Sequence, residues 1–408
     1  MTRWIIASLF LLTVSAFSAD MIFANPAFKS FDTTMQSYMS RHGIPGGAVA
    51  VVKDGRLVYA QGYGWADMEK KKPVLPASLF RIASISKPFT AAAIFTLLQK
   101  SDHRFSLDTP AFSLLSFKSF QGNEGEADPR LAAITVRQLL QHTGGWDKEG
   151  TGIDPMFQSL QIAEALNVTP PARQDSIIRY MMGKPLDFDP GSRYAYSNFG
   201  YCVLGRIIEK LSGQSYEQYV KDHVLAPLGI TRMRLGRTLP QDRAADEVCY
   251  YTKSQDLTAT VFPGSTAPLV PEPYGEFCLE AMDSHGGWLA SAVDLARFAA
   301  ALDMPKSSNL LTSDSLKAMY ARPHWIEDGK PSDYYYGCGW LVRPVGGRAN
   351  YWHCGCLPGT YTILVRRHDG LSWVALFNEC TLSEIDGYAE IDLALHQAAA
   401  QVTEWPDK

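Results

Sequence analysis

Strand-forming sequence sits at the two ends of this chain and is nearly absent from its middle, which limits what the chain can fold into. Near the start, Ala48-Val49-Ala50-Val51-Val52 runs to Asp54-Gly55, and Leu57-Val58-Tyr59-Ala60 returns. Asp-Gly suits a tight reversal because both residues tolerate positive φ, so Gly46 to Trp65 reads as a hairpin. The last third offers Gly339 to Arg343, Tyr361 to Arg366 and Ser372 to Phe377, the last two joined by the turn His368-Asp369-Gly370. From Ser84 to about Asp294 the apolar spacing is mostly helical, with long loops. Ala91–Gln99, Val136–Gln141 before Gly144-Gly145, Tyr201–Leu211 before Gly213, and Asp294–Leu302 read as helices. Gly264 to Glu276 is rich in proline and reads as a loop. Phe28–Met39 and Ile385–Val402 read as helices near the two ends. The economical architecture is α/β (α+β): an antiparallel sheet built from both ends of the chain and flanked by N- and C-terminal helices, with a mostly helical subdomain inserted. The sheet part would take about residues 26–83 and 284–408, and the helical part about 84–283.

With 408 residues, 46% of them hydrophobic, the chain can bury a large core in one large or two interleaved domains. Its formal charge is −4, from 38 Lys and Arg against 42 Asp and Glu. No basic stripe of the kind that nucleic-acid binding requires is present, so no nucleic-acid partner is expected. Lys70-Lys71-Lys72 is the one local cluster of charge and reads as a wet turn. Arg3, the apolar run Trp4 to Phe17 and the small residues Ser15, Ala16, Ser18 and Ala19 read as a cleaved secretion signal over residues 1–19. The run is short for a bilayer span, although an uncleaved anchor is the alternative. A secreted or periplasmic protein with no stable membrane insertion is the expectation, with one domain over 26–408. Export would permit disulfides among the seven cysteines, but their odd number leaves at least one over and their pairing is open. Cys354-x-Cys356 has no second pair at zinc-site spacing, so no metal is expected.

Chemistry-bearing residues fall in three places. Ser84-Ile85-Ser86-Lys87 stands just before Pro88 and an apolar helix. Serine needs a base within hydrogen-bond reach to be a nucleophile. At i and i+3 of a helix start, hydroxyl and amine share a face, and the helix N-terminus adds free N–H groups and partial positive charge. A desolvated, neutral Lys87 can take the Ser84 proton. A helix cap with a surface lysine would read the same way. Tyr196-Ser197-Asn198, the only Tyr-x-Asn in the chain, follows the turn Asp189-Pro190-Gly191. A phenol at such a loop tip can shuttle a proton if cationic neighbours lower its pKa, and an amide beside it can hold a substrate carbonyl. A packed tyrosine with an asparagine helix cap is the plain alternative. His353-Cys354-Gly355 precedes a strand that begins near Thr360, and glycine there lets a substrate backbone approach closely. A packed histidine is the alternative.

In this order the three segments resemble the serine β-lactamase and penicillin-binding-protein superfamily, and most of all class C β-lactamases with their esterase and D-peptidase relatives. Leu139 to Gly145 and Gly286 to Phe298 look like two further segments of that family, so the likeness runs over about residues 30 to 400. The resemblance implies a β-lactamase/transpeptidase-like fold and acyl transfer through a serine ester, with no cofactor and a small molecule or peptide as substrate. It implies Ser84 as nucleophile, Lys87 and Tyr196 sharing the proton transfers, and Asn198 positioning substrate. His353, Gly355 and Cys356 would border the substrate, with the oxyanion between the N–H groups of Ser84 and Cys356. Two departures matter. His353 stands where many β-lactamases and D,D-peptidases carry lysine, which weakens attraction for a substrate carboxylate. Cys354 replaces a small hydroxyl residue. An esterase or D-amino-acid peptidase or amidase therefore ranks above a β-lactamase. The alternative is a penicillin-binding or sensor module that acylates, or binds cell-wall peptide, without efficient turnover. His142, near a helix end, reads as structural.

Overall fold

The computed structural model of the chain describes residues 26–101, 105–119, 127–253, 257–264, 268–304, 308–324, 333–380 and 387–406. The expected secretion signal lies outside them, as does the expected start of the closing helix at Ile385.

Asp54 and Gly55 both take positive φ, 49° and 80°, and turn β1 (Gly46–Lys53) back into β2 (Arg56–Asp67). The other edge of β1 pairs antiparallel with β13 (Leu371–Phe377), Gly47 opposite Phe377 and Lys53 opposite Leu371. The first long strand and the last are therefore neighbours, and both ends of the chain build one sheet. With β3 (Lys72–Pro73), β9 (Tyr335–Tyr336), β10 (Leu341–Val345), β11 (Arg348–Leu357) and β12 (Thr360–Arg366), the described strands make an eight-stranded antiparallel sheet, ordered β3-β2-β1-β13-β12-β11-β10-β9. A smaller sheet joins β4 (Phe80–Arg81), β8 (Trp288–Ala290) and β5 (Arg234–Leu235), with β8 in the middle.

The central strands are apolar on both faces because both faces are covered. Val49, Val51, Ile363, Trp373 and Ala375 share a cluster with Phe28 of the 3-10 turn Pro26–Phe28 and with Phe31, Ile391 and Leu395 of the terminal helices Lys29–His42 and Gly387–Ala400. Their alternates Ala48, Ala50, Leu364, Val374 and Leu376 face the helical part. Its central helix, Ser86–Lys100, is buried from Ser86 through Leu97, so it needs apolar or small residues on every side. Phe89 of that helix stacks on Phe298 at 4.0 Å between ring centroids.

The fold class is the expected one, and the differences are local. The central helix begins at Ser86 rather than Ala91, because Pro88 is tolerated in a first turn where its missing N–H has no helical partner. The helix expected from Asp294 begins at Ala292, with Ser291 and Asp294 forming a capping box. β10 begins at Leu341, since Gly339 has φ 80° and cannot extend the strand. The described part of the proline-rich segment is not only loop: β7 (Leu269–Pro271) pairs with β6 (Leu257–Ala259), and a 3-10 turn follows at Glu272–Tyr274. Among the described residues, no helix is long and apolar enough to cross a membrane.

Candidate active site

Ser84 lies three residues beyond the end of β4, in a 3-10 turn (Ala83–Ile85) that feeds the central helix. Ala83 takes a left-handed φ of 46°, a conformation that costs energy for alanine and persists only where neighbours enforce it. They do so here. Ile82 N–H donates to the Trp288 carbonyl at 3.0 Å, Thr362 Oγ1 to the Ile82 carbonyl at 3.1 Å, and Thr360 Oγ1 to the Arg81 carbonyl at 2.7 Å.

One turn on, Lys87 is completely buried. Its Nζ stands 3.0 Å from Ser84 Oγ, 2.8 Å from Asn198 Oδ1 and 3.0 Å from the His285 carbonyl oxygen. Burial, and then the charge of Lys148, push the Lys87 amine well below its ordinary value, while Asp154 pulls the other way. A neutral amine has two N–H donors and one lone pair. With the donors on Asn198 and His285, the lone pair is left for the Ser84 hydroxyl.

Tyr196 hydrogen-bonds Ser84 through its hydroxyl, and Lys87 Nζ lies 4.7 Å from the centre of its ring. The condition that cationic neighbours lower its pKa is not met. Burial pushes the phenol up, so Tyr196 keeps its proton at neutral pH. Asn198 does not cap its helix. Ser197 does, accepting from Gly200 N–H at 3.2 Å, and this leaves the Asn198 amide free to bridge Lys87 and Asp154, donating to Asp154 Oδ2 at 2.7 Å. His142 Nδ1 accepts from Ser197 N–H at 3.1 Å, and its ring centre lies 4.3 Å from that of Tyr196. It shapes the loop, as expected, from a left-handed φ of 57°.

β11 brings up the third segment. Its pairing with β10 runs only from Arg348 to Trp352, so His353 to Leu357 have no strand partner on that side among the described residues. A Cβ at Gly355 would run into the Ile82 carbonyl oxygen and Thr362 Oγ1 and come within 3.0 Å of Ser84 N, so only glycine lets the strand lie this close to the serine turn. His353 is buried. Its Nδ1–H donates to its neighbour's carbonyl, Cys354 O, at 2.7 Å, which leaves Nε2 to accept from Tyr336 Oη at 2.9 Å. Burial, followed by the charge of Lys87, pushes its pKa down to about 3, so it carries no charge at neutral pH. Cys356 faces away from Ser84, with its Sγ 2.6 Å from that of Cys380.

The structure thus gathers Ser84, Lys87, Tyr196 and Asn198 into one hydrogen-bonded group with Gly355 against it, and places the His353 side chain on the same face of β11 as Gly355, bonded to Tyr336, whose ring in turn lies beside those of His142 and Tyr196. Sequence reading missed Asp154, Lys148, Tyr336 and the His285 carbonyl. None belongs to a motif, though His285 immediately precedes the recognised Gly286-Gly287. A cavity of about 270 Å³ opens beside Asn198, lined by Trp146, Lys148, Asp154, Tyr180, Met181 and Phe199 among others. Among the described residues, no cluster of three His, Cys, Asp or Glu side chains is arranged to hold a metal ion.

Three imidazoles are buried in or around this group, and burial holds His142, His285 and His353 all below the ordinary histidine value. Each stays neutral when folded and takes a proton on unfolding below about pH 6.5. The unfolded state then binds more protons, so stability falls as pH falls. The thermal midpoint is expected to drop between about pH 7 and pH 5. Asp108 and Asp128, held below the usual carboxylate range by hydrogen bonds from Arg137 and Arg130, add their loss only at lower pH. A midpoint that stays flat over the upper interval would contradict this account.

Comparison with known proteins agrees with the fold. The Beta-lactamase family profile matches residues 31–396. Protein flp of Staphylococcus aureus (strain MW2) is 29% identical over 322 residues, which is 78% of this chain and 57% of flp, so the chain spans little more than half of that relative. Penicillin-binding protein 4* of Bacillus subtilis (strain 168) is 28% identical over 84% of this chain and 69% of its own length. Among solved structures, the octameric penicillin-binding protein homologue from Pyrococcus abyssi superposes with a TM-score of 0.66 at 26% identity, covering 93% of this chain and 78% of that one. D-amino acid amidase from Ochrobactrum anthropi SV3 gives 0.68 over 93% and 99% of the two chains, at 21% identity a likeness of fold alone. With the profile matching nearly the whole chain, the protein belongs to the Beta-lactamase family.

Proposed function

We propose that the chain is a serine hydrolase that opens an ester, amide or β-lactam carbonyl through an acyl-enzyme on Ser84. The observation that carries this reading is the buried Lys87 amine 3.0 Å from Ser84 Oγ, with its other partners fixed. Ser84 Oγ attacks the carbonyl carbon as its proton passes to Lys87 Nζ. The oxyanion rests between the N–H groups of Ser84 and Cys356, donors fixed before the reaction begins. Tyr196, still protonated, donates its proton to the leaving group and recovers one from the protonated Lys87. Water then attacks the ester with the same groups in reverse. Asn198 holds both Lys87 and the substrate side of the cleft. The chain reads as an exported protein acting on a small molecule or peptide.

Within this class, an esterase or D-amino-acid amidase or peptidase fits better than a β-lactamase. His353, buried and neutral on the Gly355 face of β11, supplies no positive charge for a substrate carboxylate. His353→Lys should raise the ratio of activity on a carboxylate-bearing cephalosporin to activity on p-nitrophenyl butyrate by about tenfold, the effect of a single new ion pair. An unchanged ratio would remove this position from recognition.

The test of the function is intact-protein mass spectrometry over time with both substrates. Product formed over many turnovers, with at most a transient adduct, supports the hydrolase. A persistent Ser84 adduct without turnover makes the chain an acylating penicillin-binding or sensor module. Neither product nor adduct overturns the reading for these substrates.

A further inference from the structure

We infer that Cys356 and Cys380 form an intramolecular disulfide that anchors the end of β11 to the segment following β13. Alternation along β11 turns the Gly355 face toward Ser84 and the thiols of Cys354 and Cys356 toward the other face, where the terminal helices pack. There the sulfurs of Cys356 and Cys380 stand 2.6 Å apart. Backbone structure places both residues independently of their side chains. Cys356 is held opposite Tyr361 in the β11–β12 ladder. The segment carrying Cys380 is tied at three points: Asn378 N–H donates to the Gly46 carbonyl at 3.1 Å, Tyr251 N–H to the Asn378 carbonyl at 3.0 Å, and Gly359 N–H to the Cys380 carbonyl at 3.1 Å. Two sulfurs 2.6 Å apart on backbone held in this way are placed to bridge.

The chemistry is thiol–disulfide exchange with an external disulfide, either a low-molecular-weight one or that of a dithiol oxidoreductase. The partly exposed Cys356 attacks as thiolate, forms a mixed disulfide and releases one external thiolate. Buried Cys380 then loses its proton, attacks Cys356 Sγ and expels the second. The two protein thiols are oxidised and the external disulfide is reduced to two thiols. The bond closes a loop holding the whole of β12 and β13, the two strands between the linked residues. Resting on the acyl-enzyme reading, a second consequence follows: the link fixes the residue whose N–H faces the oxyanion.

The test is a peptide map of the full chain, incubated with oxidised glutathione, alkylated with N-ethylmaleimide in denaturant, and digested before and after reduction. The expected result is a Cys356–Cys380 linked peptide that disappears on reduction, and a Cys380→Ser variant in which Cys356 instead keeps glutathione as a mixed disulfide and is alkylated only after reduction. Full alkylation of both cysteines before reduction, or linkage of Cys356 to any other cysteine, Cys354 included, overturns the inference. For the consequence, reduction should lower kcat on p-nitrophenyl butyrate about threefold or more, as small misplacements of donors do, and leave Cys380→Ser insensitive to reductant. A linked protein with the same kcat in both redox states overturns the anchoring role and leaves the hydrolase standing. A linked protein with no turnover in either state sinks the hydrolase reading and leaves the disulfide standing.

Discussion

Ser84→Ala loses turnover of both p-nitrophenyl butyrate and a chromogenic cephalosporin by about 10³-fold or more, the scale on which loss of a covalent nucleophile is read. It also forms no adduct. The fold should not notice. The hydroxyl fills no core volume, and the turn that carries it is held by Ile82, Thr360 and Thr362 through bonds that do not involve the Ser84 side chain. A thermal midpoint within a degree or two of the parent separates loss of chemistry from loss of structure. Turnover within about tenfold of the parent would end the assignment of Ser84.

Lys87→Arg should fall nearly as far, and more tellingly than an alanine variant. Arginine keeps the positive charge, but it cannot give up its proton at any working pH and so cannot accept one from serine. If Lys87 served only as a fixed cation, arginine would restore activity. If it is the base, it will not. In the parent, kcat/KM should rise with pH through a limb set well below the ordinary lysine value, since burial lowers the Lys87 pKa. That limb should be absent from whatever activity Lys87→Arg retains. The linkage sign agrees: the folded chain keeps Lys87 neutral while the unfolded chain protonates it. Its contribution to stability therefore rises with pH from the folded pKa up to about 10.4. An arginine variant within tenfold of the parent would refute the base.

The fold was legible because its pattern is coarse. Apolar strands at the two ends and helical spacing between them leave few arrangements, and β1 beside β13 is the simplest of these. The boundaries that moved did so through single residues: Pro88 sits inside a first turn, Asp294 belongs to a capping box, and Gly339 refuses extension. At the candidate site, Ser84, Lys87, Tyr196 and Asn198 could be named because the chemistry limits their types and their order resembles that of the serine β-lactamase and penicillin-binding-protein superfamily. Asp154 could not, since its role comes from meeting Asn198 across 44 residues. The behaviour of Tyr196 was also hidden. Whether a phenol beside lysine rises or falls in pKa depends on how deeply it is enclosed, which no local pattern states. His353 carried a departure visible in sequence, but its neutrality comes from burial, and then from Lys87 nearby, neither of which the local sequence shows.

The pairing of β1 with β13 bears on the life of the chain during synthesis. The serine turn is made well before the strands that press on it, β11 and β12. A ribosome, or an export channel handling the chain from its first residue, therefore releases the proposed nucleophile long before the segment proposed to receive the oxyanion. Contacts of such wide sequence separation close slowly, after local helices have formed. Until they close, nascent chains should be chemically silent toward the cell's own esters and peptides. If the acyl-enzyme reading holds, the topology acts as a timer that delays activity until the fold is finished.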